Sequence, residues 1–252
     1  MISSAQRVTI CANSWLRNQQ RNGASADARP LYLKKMEEFM SFMDKHAPRS
    51  VDDLVIENKH TKQRLEDYAS GDRSRHMIMH GPKGTGKSSA ARVIAEARTM
   101  VDGEQVPFWT RNAASMTAAD FGAILNEWDF QRQCGVRHPV TIIEEVDKLS
   151  AGMRDQLQAF IDEFGKHGQI IATSNNLDGL SYAQQDRFDQ IKMPPVSAAA
   201  CEERVRHIFA SEGAQVSDDH MRRMLGTTHG SWRDIGSAIE DMVLDSTRQK
   251  KA

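Results

Sequence analysis

Short apolar runs alternate along this chain with longer stretches whose apolar residues recur every three or four positions. Met77-Ile78-Met79 and residues 106–110, 140–143 and 169–173 have the length of buried strands. Residues 59–69, 89–96, 118–128 and 153–164 carry the helical period; Phe121, Leu125 and Trp128 fall on one face. Strands alternating with helices predict an α/β fold, an αβα sandwich whose parallel sheet is covered on both faces. After Met193-Pro194-Pro195 the strand signals stop. Residues 198–210, 217–225 and 231–244 read as helices separated by turns at Gly213 and Gly230. Ser217 with Asp218 and Asp219 supplies a helix start. The pattern predicts an α/β domain over residues 47–193, a small all-helical lid domain over 194–246 and a polar tail over 247–252.

Upstream, Leu31, Leu33, Met36, Phe39, Met40 and Met43 recur at near-helical spacing, which predicts an amphipathic helix over residues 31–46 with its methionines in a core. Residues 1–30 set Arg7, Arg17, Arg21 and Arg29 against a single acid, Asp27. A short helix around residues 8–16 and a loose linker are expected there; the alternative is a basic arm for nucleic acid or a neighbouring subunit. Residues 1–46 are thus expected to form an N-terminal extension.

Composition narrows the class. With 39% hydrophobic and 27% charged residues in 252, the chain can bury a real core and stay in water. A net charge of −1 leaves no global basic field, though local patches remain open. Cys11, Cys134 and Cys201 are far apart and form no CxxC pair, which argues against a zinc or disulfide framework. The nine histidines show no ligand spacing, and His80 reads as structural. No run reaches membrane-span length and no signal-peptide core opens the chain, so a cytoplasmic protein without a membrane partner is expected.

The chemistry is concentrated in one stretch. Met77-Ile78-Met79-His80 leads into Gly81-Pro82-Lys83-Gly84-Thr85-Gly86-Lys87-Ser88, followed by Ser89 and a helical run. That is strand, GxxxxGK[ST], helix: a P-loop in its required context. Backbone N–H groups of such a loop form an anion nest, reinforced by the helix N-terminus. Lys87 is expected on the β/γ-phosphates of ATP and the Ser88 hydroxyl on Mg²⁺. Val140-Thr141-Ile142-Ile143 then ends in Glu144 and Glu145. Strand alternation points neighbours apart, so Glu144 is read as the metal-side acid and Glu145 as the general base for an attacking water. A third strand ends in Thr173-Ser174-Asn175-Asn176, and Arg187 comes after a short helical run.

In that order, these motifs resemble an AAA+ ATPase, and within that class the small subunits of sliding-clamp loaders of the replication factor C type. Residues 47–55 look like the family's lead-in to an adenine-contacting loop, which assigns Val55 and Ile56 to the base. Glu144-Glu145-Val146-Asp147 resembles the Walker B acids, usually Asp-Glu-x-Asp. Residues 173–180 are similar to the sensor 1 segment of phage clamp loaders, making Asn175 the sensor. Arg187 stands where the family places a finger that reaches a neighbour's ATP. Gly230-Ser231-Trp232-Arg233-Asp234 resembles the sensor 2 helix start, with Arg233 on the γ-phosphate. The resemblance covers about residues 47–245.

Four departures accompany it. Glu144 replaces Asp, Asp186-Arg187-Phe188 replaces Ser-Arg-Cys, the family's collar-forming helical domain is not seen, and residues 1–46 have no counterpart. The resemblance implies Mg·ATP hydrolysis at interfaces of a homo- or hetero-oligomer of AAA+ subunits, coupled to loading or remodelling a replication partner on DNA. Alternatives are a non-clamp AAA+ module (helicase loader, transposition regulator or protein remodeller) and a low-turnover assembly switch.

Overall fold

The computed structural model describes residues 41–251. The helix expected at 8–16, the linker after it and residues 31–40 of the amphipathic helix lie outside them. The described chain opens with a short helix α1 (Phe42–Lys45), then α2 (Lys59–Ser70) and strand β1 (Met77–His80). Helix α3 (Lys87–Arg98), a hairpin of β2 (Met100–Val101) and β3 (Glu104–Gln105), and β4 (Trp109–Asn112) come next. Then come α4 (Ala118–Gln133), β5 (Val140–Glu144), α5 (Ala151–Phe164), β6 (Gln169–Ser174), α6 (Tyr182–Gln185) and β7 (Asp189–Lys192). Helices α7 (Ala198–Ser211), α8 (Asp218–Thr227) and α9 (Trp232–Lys251) complete it.

Five strands form one parallel sheet in the order β4-β5-β6-β1-β7. The period of two divides its core between the faces. Met77 and Met79 of β1, Ile142 and Ile171 pack with Leu65, Tyr68 and Ile94 from α2 and α3. Ile78, Ile143 and Ile170 pack on the other side with Trp128 of α4 and Phe160 of α5. The sheet therefore has two apolar faces, which is why its central strands β1, β5 and β6 read as continuous apolar runs. A separate cluster joins α7, α8 and α9 through Val205, Ile208, Met221, Leu225, Ile235 and Ile239. The helices start where small polar residues cap them. Asn58 accepts from Thr61 N–H, and Ser150, Ser197 and Ser217 do the same for α5, α7 and α8.

Four features differ from expectation. The strand expected at 106–110 begins at Trp109, because Val106 is drawn into a satellite cluster with Cys134 and Val136 and is followed by Pro107. A hairpin precedes it, turned by Asp102 (φ 51°) and Gly103 (φ 81°), the left-handed pair that suits a two-residue turn. The edge strand β7 carries a single buried residue, Ile191, so it left no apolar run to read. Helix α9 continues through Lys251 where a polar tail is expected from residue 247.

Candidate nucleotide site

The glycine-rich loop leaves the C-terminal end of β1, where β6 and β7 flank it, a position at which parallel sheets bind ligands. Gly81 (φ 151°) must be glycine, since a Cβ would overlap the backbone carbonyl of Met193. Gly84 (φ 79°) faces Ser231, where a Cβ would press on the hydroxyl in a conformation that already disfavours side chains. Gly86 (φ 85°) caps α3 without any side-chain hydrogen bond, so the first amides of that helix remain available to an anion. Lys87 is buried, and its Nζ donates to the carbonyls of Gly81 and Pro82 at 2.8 and 2.7 Å. Burial lowers its ammonium below the ordinary value; Asp147 and Glu145 oppose that and Arg233 reinforces it.

One cleft contains the loop and has two compartments. The polar one is lined by Lys83, Lys87, Ser88, Glu145, Asn175 and Arg233, from separate parts of the chain. The apolar one holds about 270 Å³ and includes Val55, Ile56, Trp232 and Ile239. Thr85, Gly86, Ser88 and Ser89 border both. The lid reaches into this junction: Trp232 N–H donates to the Gly84 carbonyl at 2.8 Å.

The two acids diverge, though not through the pleat. The strand ends at Glu144, in register with Asn112 of β4. Glu145 is left-handed (φ 57°), and its N–H donates to Thr173 Oγ1 at 3.2 Å. A non-glycine residue in that region is strained and must be held. Lys148, 2.6 Å away, holds the Glu145 carboxyl below its ordinary pKa, with a further hydrogen bond from Asn175. Glu145 lines the polar compartment; Glu144 is half-buried at its strand end and is not among the lining residues.

Asp147 is the residue that sequence reasoning passed over. It accepts from Ser174 Oγ (3.0 Å), Asn175 N–H (3.2 Å) and Asn175 Nδ2 (3.5 Å), so it fixes the end of β6 and the Asn175 amide. Its place in the Glu-Glu-x-Asp run was the available signal. Trp232, beside the predicted Arg233, was missed for want of any local sign that it would meet the loop.

Arg187 lies outside the cleft. Its guanidinium donates two parallel hydrogen bonds to Asp162 at 3.0 Å and one to the Ala183 carbonyl at 2.9 Å. The next two residues serve the fold. Phe188 is buried in the core, and Asp189 accepts from Tyr68 Oη at 2.9 Å and from Arg64. Packing thus accounts for the Phe-Asp pair after Arg187.

Residues 77–195 match the AAA family, "ATPase family associated with various cellular activities". The replication factor C small subunit 2 of Pyrobaculum arsenaticum is 26% identical over 206 residues, covering 79% of this chain and 62% of the relative. The replication factor C small subunit of Archaeoglobus fulgidus is 26% identical over 212 residues, covering 81% and 64%. The chain spans about three fifths of the length of these relatives. Among solved structures, the Thermotoga maritima RuvB Holliday junction branch migration motor superposes with a TM-score of 0.65 at 16% identity, covering 82% of this chain and 73% of that one. Among the described residues, no helix is long and apolar enough to cross a membrane.

Proposed function

We propose, for a chain whose residues 77–195 form an AAA ATPase-family domain, that it hydrolyses Mg·ATP at sites shared between subunits and uses the cycle to load or remodel a partner on DNA. The observation carrying this reading is the division of the machinery. Lys87, Ser88, Glu145, Asn175 and Arg233 share one cleft, while Arg187 stands on another surface, tied to Asp162.

The donors fit a triphosphate. Uncapped amides of α3, the Lys87 ammonium and the Arg233 guanidinium supply positive charge from three directions. Lys87 exchanges its two loop carbonyls for phosphate oxygens. Val55 and Ile56 face the base in the apolar compartment. Ser88 would hold Mg²⁺ in the cleft, and Glu144, at the strand end outside the lining, would reach it only through the metal's water shell; the ion would neutralise charge on the phosphates and orient them. Glu145 takes the proton from the attacking water; Asn175, fixed by Asp147, orients that water or the γ-phosphate. Arg187 of one subunit completes the site of the next. The role on DNA rests on the likeness to replication factor C small subunits. The rival reading as another kind of AAA+ module loses part of its support, because Phe188 and Asp189 have packing duties of their own.

The test is complementation. Glu145→Gln retains ATP binding and an intact Arg187 but loses about 10²–10⁴-fold in turnover. Arg187→Ala keeps an intact cleft and loses about 10³-fold or more. Mixed, the two should recover activity that neither has alone, because Arg187 of the first completes the cleft of the second. Activity in the mixture equal to the sum of the separate proteins removes the shared site. DNA-stimulated turnover that falls as salt rises would support the DNA-linked role.

A further inference from the structure

The apolar compartment has a wall that neither the glycine loop nor the family match accounts for. It is α1, which lies before residue 77. Ser41 caps this short helix by accepting from Asp44 N–H at 3.2 Å. Its far end is fastened to the lid. Lys45 Nζ and His46 Nε2 each lie 2.5 Å from Glu212 Oε1, and Arg204 donates to the His46 carbonyl at 3.0 Å. Phe42 packs into the lid cluster beside Val55, and its ring centroid lies 4.8 Å from that of His46.

This fastening holds the short stretch of backbone that carries Met43, between Phe42 and the Lys45–His46 pair. Met43 borders both compartments of the cleft, the apolar one with Val55 and Ile56 and the polar one with Lys87 and Arg233. It is 39% exposed, so part of the side chain is left open where it lines the cleft. The lid is shaped around it. Gly236 of α9 presents no side chain there, and a Cβ at that position would overlap the Met43 thioether. A ligand whose phosphates lie on the loop and whose base lies against Val55 and Ile56 must pass beside Met43.

We propose that Met43 is a nucleotide-contacting residue, covering the sugar and the adjoining edge of the base, and that α1 is the clasp that holds it there against the lid. The proposal rests on the nucleotide reading above. Its chemistry is apolar contact: bound nucleotide removes the exposed part of the Met43 side chain from water, and the flexible thioether adapts to the sugar's uneven surface.

The experiment separates the sugar and base from the phosphates. Binding of Mg·ATP and of inorganic tripolyphosphate is measured by titration calorimetry on the full chain. Met43→Ala should weaken Mg·ATP roughly fivefold, the effect of losing about 1 kcal/mol of buried apolar contact, and leave tripolyphosphate unchanged. Met43→Leu should restore most of the loss. Gly236→Ala should weaken Mg·ATP by displacing Met43, and should add nothing in the Met43→Ala background, since the two act through one contact. Unaltered Mg·ATP affinity in Met43→Ala overturns the proposal, as does an equal loss for tripolyphosphate or full additivity with Gly236→Ala. In each of those outcomes the wild-type protein still binds both ligands and the nucleotide reading stands. A wild-type chain that binds neither ligand overturns both.

Discussion

At the phosphate-loop end of the cleft, the lysine, the amides and the turns come from residues 81–89, the acid Glu145 and the amide Asn175 from the adjacent ends of β5 and β6, and only Arg233 and Trp232 from the lid. At the apolar end, the wall is assembled from α1, residues 53–56, α3 and the lid helices, which are far apart in sequence. The first end is built by backbone conformation: three glycines at positive φ and one helix start. The second is built by side chains that meet because distant segments fold together. The chemistry of a site can thus be set by about a dozen consecutive residues, as in a phosphate loop, while its selectivity and its coupling to the lid depend on contacts that no short motif records.

The sharpest way to break this comparison is at the loop's first glycine. Gly81→Ala sets a Cβ against the Met193 carbonyl, a backbone atom that cannot swing aside, in a conformation that already disfavours side chains. We expect a stability loss of about 2–4 kcal/mol and loss of tripolyphosphate and ATP binding alike. Gly86→Ala is the matched control. Its φ is also positive, but nothing lies within 4 Å of the added atom, so roughly 1 kcal/mol should be lost. Urea unfolding and calorimetry on the two variants check both; equal losses would mean that conformational strain, and not the Met193 contact, sets the loop.

The asymmetry between the ends also explains what could be read in advance. Residues 77–89 announced strand, loop and helix because each signal is local: an apolar run, glycines at fixed offsets, a hydroxyl after lysine. The sheet's central strands were legible because both faces are buried, so apolar residues run unbroken. Strand β7 was not, because one buried isoleucine carries no period. Asp147, Trp232 and Met43 escaped for a related reason. Each does its work on a residue distant in sequence, namely Asn175, Gly84 and Gly236.

Acid offers a second handle, because the two ends rest on groups that titrate in different ranges. The loop stands on β1, and His76 lies just before that strand, buried, with Nδ1 accepting from Ile170 N–H at 3.0 Å. Phe188 meets its ring edge-on, and a Cβ at Gly165 would come 2.5 Å from its Nε2. Burial pushes its pKa from 6.5 down to about 4, with a smaller contribution from Arg75. The unfolded chain therefore takes up this proton first as pH falls. Stability from the group is full above about 6.5, declines towards about 4, and is flat below that. The total is on the order of 3 kcal/mol. His76→Asn, which does not titrate, should flatten the pH dependence of urea unfolding across that window. A variant that loses stability as steeply as the wild type would assign the decline to other groups.

The smallest expected effect falls on the clasp. Lys45 is the main group holding the Glu212 carboxyl below its ordinary value of 4.5, with His46 adding a hydrogen bond. A depressed carboxyl gives stability that is present above the unfolded value and lost as pH falls through the folded one, so this window lies below that of His76. The pair is near the surface, and Glu212→Gln should cost only about 0.5–1 kcal/mol. Its functional signature is more telling than its size. Loosening α1 lets Met43 move, so Mg·ATP affinity should fall about twofold while tripolyphosphate binding holds. Salt screens the same pair, so the stability difference between the wild type and Glu212→Gln should shrink as ionic strength rises. If instead Glu212→Gln weakens tripolyphosphate as much as ATP, the clasp acts on the whole lid and the two ends of the cleft are one mechanical unit. If it weakens only ATP, the ends are separable, and the apolar end is where this chain can alter nucleotide preference without disturbing the loop.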